Sequence, residues 1–100
     1  MDIKEIPLTP DNQLFDIVLA GTAFKMRILW RDLYWMMDLS DSSGSPIING
    51  IPLVTGADLL AQYSYLNLGF KLAVLCDVGN QVYPTKTDLG IKSHLYVITE

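Results

Sequence analysis

The sequence has very few of the residues that catalysis and metal binding usually require. It contains one cysteine and one histidine in 100 residues. Cys76 has no second cysteine for an internal disulfide, and no Cys-x-x-Cys pair or cluster of histidine and cysteine is present to hold a metal. His94 stands apart from any nucleophile motif, and the acidic residues show no diagnostic spacing. We therefore predict that the chain is not an enzyme and uses no cofactor.

Charged residues are also scarce. They make up 18% of the chain, against roughly 25% in an average soluble domain, while 50% of the residues are hydrophobic. This balance has two interpretations, an unusually dense core or an apolar surface that partner proteins cover, and we favour the second. The net charge of −4 and the scattered lysines and arginines argue against nucleic acid as a specific ligand.

No apolar run is long enough for a membrane span, because charged residues between Asp16 and Asp38 interrupt the strongest candidates. The first five residues also lack the cationic and apolar pattern of a signal peptide. We therefore expect a protein that is made and assembled in the cytoplasm without contact with a membrane.

The dominant positive signal is an alternation of apolar and polar residues with a period of two, which is typical of β-strands. It is clearest between Thr22 and Asp32, where Phe24, Met26, Ile28 and Trp30 share one face. Further alternating segments run from Gln13 to Leu19, Tyr34 to Ser40, Lys71 to Asp77 and Ser93 to Thr99, with shorter ones at Ile3 to Leu8 and Gln81 to Tyr83. Because Lys71 to Asp77 is apolar on both faces, it is predicted to be a central strand or one that a partner covers.

Turn and cap residues define the connections. Ala20-Gly21-Thr22 predicts a tight hairpin, and Asn49-Gly50 predicts a second one of type I′. Pro52 has no N–H and so favours an edge strand. The residues after Thr55, which can act as a cap, favour one short helix near residues 56–63.

These elements predict an all-β fold, a small β-barrel or sandwich of about seven mostly antiparallel strands with one short helix. The chain length suits one domain that spans residues 1–100.

Large aromatic and charged residues on the best strands are the candidates for a specialised role. Trp30 and Trp35 fall on the main apolar faces and are predicted to lie in the core. The opposite face carries the candidate interface residues Arg27, Arg31, Tyr34 and Met36. The two arginines could pair with an acidic partner, although a face exposed to solvent is the other interpretation of the same pattern.

Several segments resemble one known family over nearly the whole length of the chain. The most specific is the eleven-residue block from Gly50 to Leu60, which combines a turn, an edge proline and a cap. The flanking matches are Glu5 to Leu8, Trp30-Arg31-Asp32, Asp38-Leu39, Tyr65-Leu66, Leu68-Gly69, Leu89-Gly90 and His94-Leu95-Tyr96. Together these residues resemble the small baseplate plug family of contractile-tailed phages, of the cyanophage type.

The resemblance implies a structural protein of the virion that lies on the tail axis and joins the baseplate hub, the spike and the tail tube. It implies no catalysis, and the matched residues would determine fold and interfaces. A homo-oligomer or a ring with the hub is expected, with about three copies if the assembly closes by rotation. A tube-initiation or head-tail completion protein, or a β-barrel that binds a small ligand, stays open as an alternative function.

Overall fold

The computed structural model of the chain describes residues 2–56 and 58–99. Within these residues the chain forms seven strands and one short 3-10 helix, which confirms the predicted all-β class. The strands are β1 (Asp2–Ile6), β2 (Gln13–Leu19), β3 (Thr22–Arg31), β4 (Tyr34–Asp41), β5 (Pro46–Pro52), β6 (Lys71–Cys76) and β7 (Ser93–Thr99), and the 3-10 helix is Ala61–Leu66. No helix in the described part of the chain is long and apolar enough to cross a membrane.

The strands form two antiparallel sheets. One has the order β1-β7-β6 and the other the order β2-β3-β4-β5, so residues 2–56 and 58–99 form no closed barrel and the two-sheet alternative is the correct one. Pro7 and Pro10 lie between β1 and β2, where residues without an N–H cannot continue a ladder. The chain leaves the first sheet there, and β1 pairs with β7 from Asp2–Thr99 to Ile6–Leu95.

The alternating apolar residues of both sheets meet in one hydrophobic core. Its most deeply buried members include Met26, Ile28, Trp35, Met37, Leu39, Leu53, Leu72, Val74 and Leu95. Each fully buried side chain of this size contributes about 1.5–3 kcal/mol. Trp30 lies half-buried against Trp35, with ring centroids 5.3 Å apart.

The hairpin between β2 and β3 is confirmed. Leu19 pairs with Thr22, so the loop contains only Ala20 and Gly21. Both have positive φ, 50° and 81°, as a type I′ turn requires.

The predicted hairpin at Asn49-Gly50 is wrong. The segment is a single strand, β5, and the two residues form a bulge opposite Asp38, between the pairs Met37–Ile51 and Leu39–Ile48. Of the two residues only Gly50 has positive φ, 73°, whereas a type I′ turn needs it at both. The long β4 supplies a partner for the residues on both sides of the bulge, and that pairing replaces the local hairpin.

The helix begins later than predicted, at Ala61 instead of near residue 56, and it is a 3-10 helix. Thr55 does not cap it, because Thr55 bridges to Val74 and its N–H donates to the carbonyl of Val82 at 2.9 Å. The Asp58 carboxylate accepts from the backbone N–H of Leu60 and of Leu72. Tertiary contacts therefore hold this segment against β6. Ala57, which the prediction placed in the helix, lies outside the described residues.

Two further strand predictions need correction. β6 is at an edge and not central, because β7 occupies the centre of its sheet; that a partner covers it stays a prediction. Residues 81–83 form no strand. Instead, the Gln81 side chain donates to the carbonyl of Tyr83 and to the Asp88 carboxylate, both at 2.9 Å, and the backbone N–H of Thr85 donates to that carboxylate at 2.7 Å. These polar bonds hold the connection between β6 and β7 in place of a ladder.

Candidate protein interface

The four predicted interface residues lie together on the outer face of the four-stranded sheet. The register places Arg27 opposite Asp38, Met36 opposite Leu29, and Arg31 opposite Tyr34. The outer face is the side away from the core, because residues on it alternate with the buried residues of β3 and β4. The predicted set is therefore a contiguous surface.

Arg27 is already paired within the sheet. Its Nη2 and Nε atoms donate to Asp38 Oδ2 at 2.9 and 3.2 Å, and the other carboxylate oxygen accepts from the N–H of Gly50 at 2.7 Å. Asp38 thus joins β3, β4 and the bulge in β5. Arg27 contributes to this network as half of a neutral pair, so it offers little free positive charge to an acidic partner.

Arg31 is at the exposed end of β3 and makes no ion pair with another residue in 2–56 or 58–99. Beside it the ring of Tyr34 packs edge-on against Tyr83, with centroids 6.4 Å apart, and Leu33 is 70% exposed in the connecting turn. We call Arg31, Leu33, Tyr34 and Tyr83 the Tyr34 patch. It combines aromatic, aliphatic and cationic groups, the chemistry that dominates protein interfaces.

Met36 is half-buried and lies next to the bulge. Its Cε atom would be 3.7 Å from a Cβ atom built on Gly50. It therefore covers the bulge and extends the apolar surface from the Tyr34 patch along β4.

Sequence reasoning missed a second apolar row on the same face, along β2. Leu14 and Val18 are 66% and 67% exposed, and Asp16 between them pairs with Lys25 at 2.9 Å. The alternation in Gln13 to Leu19 contained this signal, because Leu14 and Val18 occupy the face opposite Phe15 and Ile17.

The outer face of the three-stranded sheet is also apolar. Ile3, Leu75 and the partly buried Tyr96 and Ile98 occupy it, on strands joined by the pairs Ile3–Ile98 and Leu75–His94. The apolar character of both faces of β6 had signalled this surface.

A cavity of about 350 Å³ lies beside the 3-10 helix and is lined by Asp58, Leu60, Tyr63, Phe70 and Ile98, among others. Trp30, Tyr34, Trp35 and Tyr96 are not among its lining residues. The aromatic residues that line this cavity are instead Tyr63 and Phe70.

His94 links the strands of the three-stranded sheet electrostatically. Its Nδ1 atom is 2.8 Å from Glu5 Oε2 and its Nε2 atom is 3.3 Å from Asp77 Oδ1. The hydrogen bond with Glu5 raises the pKa of His94 above its ordinary value of 6.5; burial opposes the rise, and the charges of Glu5 and Asp77 add to it.

This raised pKa predicts a pH-dependent stability. Protonated His94 stabilises the folded state fully below pH 6.5, and the contribution is lost as the pH rises through the higher folded-state pKa. The contribution of His94 to the melting temperature of the protein should therefore be larger near pH 6 than near pH 8. His94→Gln should flatten this difference in thermal melts. An equal pH dependence in wild type and variant would contradict the assignment.

The fold and its exposed surfaces first indicate the class of protein. The chain is a small two-sheet β protein whose outer faces carry exposed apolar and aromatic side chains. A family model described as cyanophage baseplate Pam3 plug gp18 matches residues 3–100, so the chain belongs to this baseplate plug family. The match confirms the resemblance and gives the protein a structural role in a phage tail baseplate. No curated protein sequence matches the chain.

Proposed function

We propose that the protein is a non-enzymatic plug subunit on the axis of a contractile phage tail, where it contacts the baseplate hub, the spike and the tail tube. One observation supports this most strongly: apolar side chains are exposed on the outer faces of both sheets. An antiparallel sheet with one solvated face normally alternates apolar and polar residues. A subunit enclosed by neighbours on both sides needs no such polar faces.

The assembly we propose is a closed ring with the hub, on the order of three copies, because closed rotational symmetry is the general rule for such assemblies. The shared hydrophobic cluster of the two sheets supports treating residues 1–100 as one domain. In this proposal the subunit is assembled into tails in the host cytoplasm. The net charge of −4 suits a channel through which DNA passes without binding.

The direct test is to locate the protein in purified tails. Cryo-electron microscopy should show its density on the tail axis beside the hub, and tails assembled without it should lack that density. Absence of the protein from intact tails, or a position at the head-proximal end, would overturn the proposal.

The Tyr34 patch gives a sharper test than Arg27. Arg27→Glu would place a carboxylate opposite Asp38 and so would weaken the fold as well as any interface. Arg31→Glu alters an exposed group, so we expect a melting temperature near wild type, whereas Tyr34→Ser also removes the ring that packs on Tyr83 and should melt slightly lower. Both variants should lose about tenfold in incorporation into tails. Ser45→Ala, in the exposed turn before β5, is the control that should incorporate normally. Normal incorporation of both patch variants would show that this patch faces solvent.

A further inference from the structure

Three of the four strand edges of the two sheets are protected against pairing with another chain. β5 carries Pro46 and Pro52 and two breaks in register. The edge of β6 is covered by the segment at Asp58, where the N–H of Leu59 donates to the carbonyl of Leu72 at 2.8 Å. β1 has charge on three of its five residues. Prolines, bulges, covers and charges are the usual means by which proteins block edge pairing.

The edge of β2 has none of these protections. All seven of its residues pair with β3 without a shift in register. It contains no proline and one charged residue, Asp16, and its neighbours Leu14 and Val18 are the exposed apolar row. A long, regular and apolar edge strand is a site where another strand can add.

The type I′ turn shows which backbone groups are open. In a two-residue hairpin the residues that flank the turn, here Leu19 and Thr22, exchange hydrogen bonds, and the ladder then alternates along the strand. Leu14, Asp16 and Val18 therefore direct their N–H and C=O groups away from β3. Among the described residues no turn or loop supplies partners to these groups.

Charge indicates what kind of strand fits. The Asp16 side chain is 79% exposed although Lys25 contacts it from the β3 side, so its other side can receive a second cation. Antiparallel pairing of two copies about Asp16 would instead set two carboxylates opposite each other, which is destabilising. A partner strand with a basic residue opposite Asp16 and apolar residues opposite Leu14 and Val18 satisfies all three positions.

We propose that the β2 edge binds an extended strand of another tail protein, which adds to the four-stranded sheet by antiparallel pairing. Every second residue of that strand would follow the pattern apolar, basic, apolar, opposite Val18, Asp16 and Leu14. The proposal rests on the proposed function, because it is that function that places the protein among other tail proteins. The partner strand would be recognised by the outward N–H and C=O groups of Leu14, Asp16 and Val18.

Hydrogen–deuterium exchange of the wild-type protein, free and in purified tails, tests the proposal directly. The open-edge amides of Leu14, Asp16 and Val18 should exchange rapidly in the free protein and become protected by at least about tenfold in tails. Rapid exchange within tails would overturn this inference while leaving the plug function intact. If these amides are already protected in the isolated protein and its mass is that of a dimer, the β2 edge binds a second copy of the chain, which would also overturn the inference.

Variants separate the backbone from the side chains. Val18→Pro removes an outward N–H and leaves the bonds to β3 intact, so incorporation into tails should fall about tenfold, whereas Val18→Thr, which keeps the N–H, should incorporate normally. A second variant combines Asp16→Lys with Lys25→Asp, which keeps the internal ion pair but places a cation at the open edge. It should fold and fail to incorporate. Normal incorporation of this double variant and of folded Val18→Pro would overturn the proposal.

Discussion

Gly90→Ala is expected to destabilise the fold strongly. Gly90 has φ +80°, a conformation that costs an L-residue roughly 1–2 kcal/mol. A Cβ atom there would also overlap the carbonyl oxygen of Leu8. The backbone has little room to relieve the overlap, because Leu8 and Leu89 are buried and the N–H of Gly90 donates to Ser93 at 2.7 Å. We expect a loss of roughly 3–5 kcal/mol, a large part of the 5–15 kcal/mol that stabilises a typical domain.

Thermal and urea unfolding measure this effect, and Gly44→Ala is the matched control. Gly44 also has positive φ, +93°, but a Cβ atom added there would have no neighbouring atom within 4 Å. It therefore reports the backbone strain alone, about 1 kcal/mol, or roughly 4–8 °C in melting temperature for a domain of this size. Similar melting temperatures for the two variants would show that Leu8 moves aside and that the close approach is unimportant.

The strands were predictable where one face is buried and the other is not. Between Thr22 and Ser40 the alternation fixes which residues face the core, and the structure places Met26, Ile28, Trp35 and Met37 there. The turn at Gly21 was predictable because its residues, its length and the flanking alternation all agree.

Prediction failed where tertiary contacts replace a local preference. Asn49-Gly50 has the composition of a type I′ hairpin, but β4 and the Asp38 carboxylate bind the segment as a bulged strand. Thr55 and Asp58 have the spacing of a helix cap, but Thr55 bonds to Val82, and Asp58 bonds to Leu72 as well as to the nearby Leu60. Val82 and Leu72 are distant in sequence, so no local pattern reveals these bonds.

The candidate interface was predictable in part. Alternation along β3 and β4 is enough to place Arg27, Arg31, Tyr34 and Met36 on one face. The pairing of Arg27 with Asp38 depends on the register of two strands, and the exposed edge of β2 depends on the order of strands in the sheet. Sequence periodicity specifies neither.

The second large effect is expected at Trp35, which is 1% exposed and anchors the segment between β6 and β7. Its Nε1–H donates to the carbonyl of Thr85 at 2.9 Å, and its ring packs edge-on against Trp30. Trp35→Ala should cost about 3–5 kcal/mol, because it leaves a large cavity between the sheets. Trp30→Ala is the control: Trp30 is only half-buried, so its loss should cost clearly less. Equal losses in urea unfolding would contradict the assignment of Trp35 as the central residue.

Trp35→Phe separates the hydrogen bond from the packing. Phenylalanine keeps an aromatic ring in the core but has no donor for Thr85, so the expected loss is about 1–2 kcal/mol. Because the segment between β6 and β7 carries Tyr83, which packs on Tyr34, losing this anchor should loosen the Tyr34 patch. Hydrogen exchange in residues 81–88 should therefore accelerate in Trp35→Phe and stay unchanged in Trp30→Phe. Unchanged exchange in Trp35→Phe would show that the Asp88 and Gln81 hydrogen bonds hold the segment without Trp35.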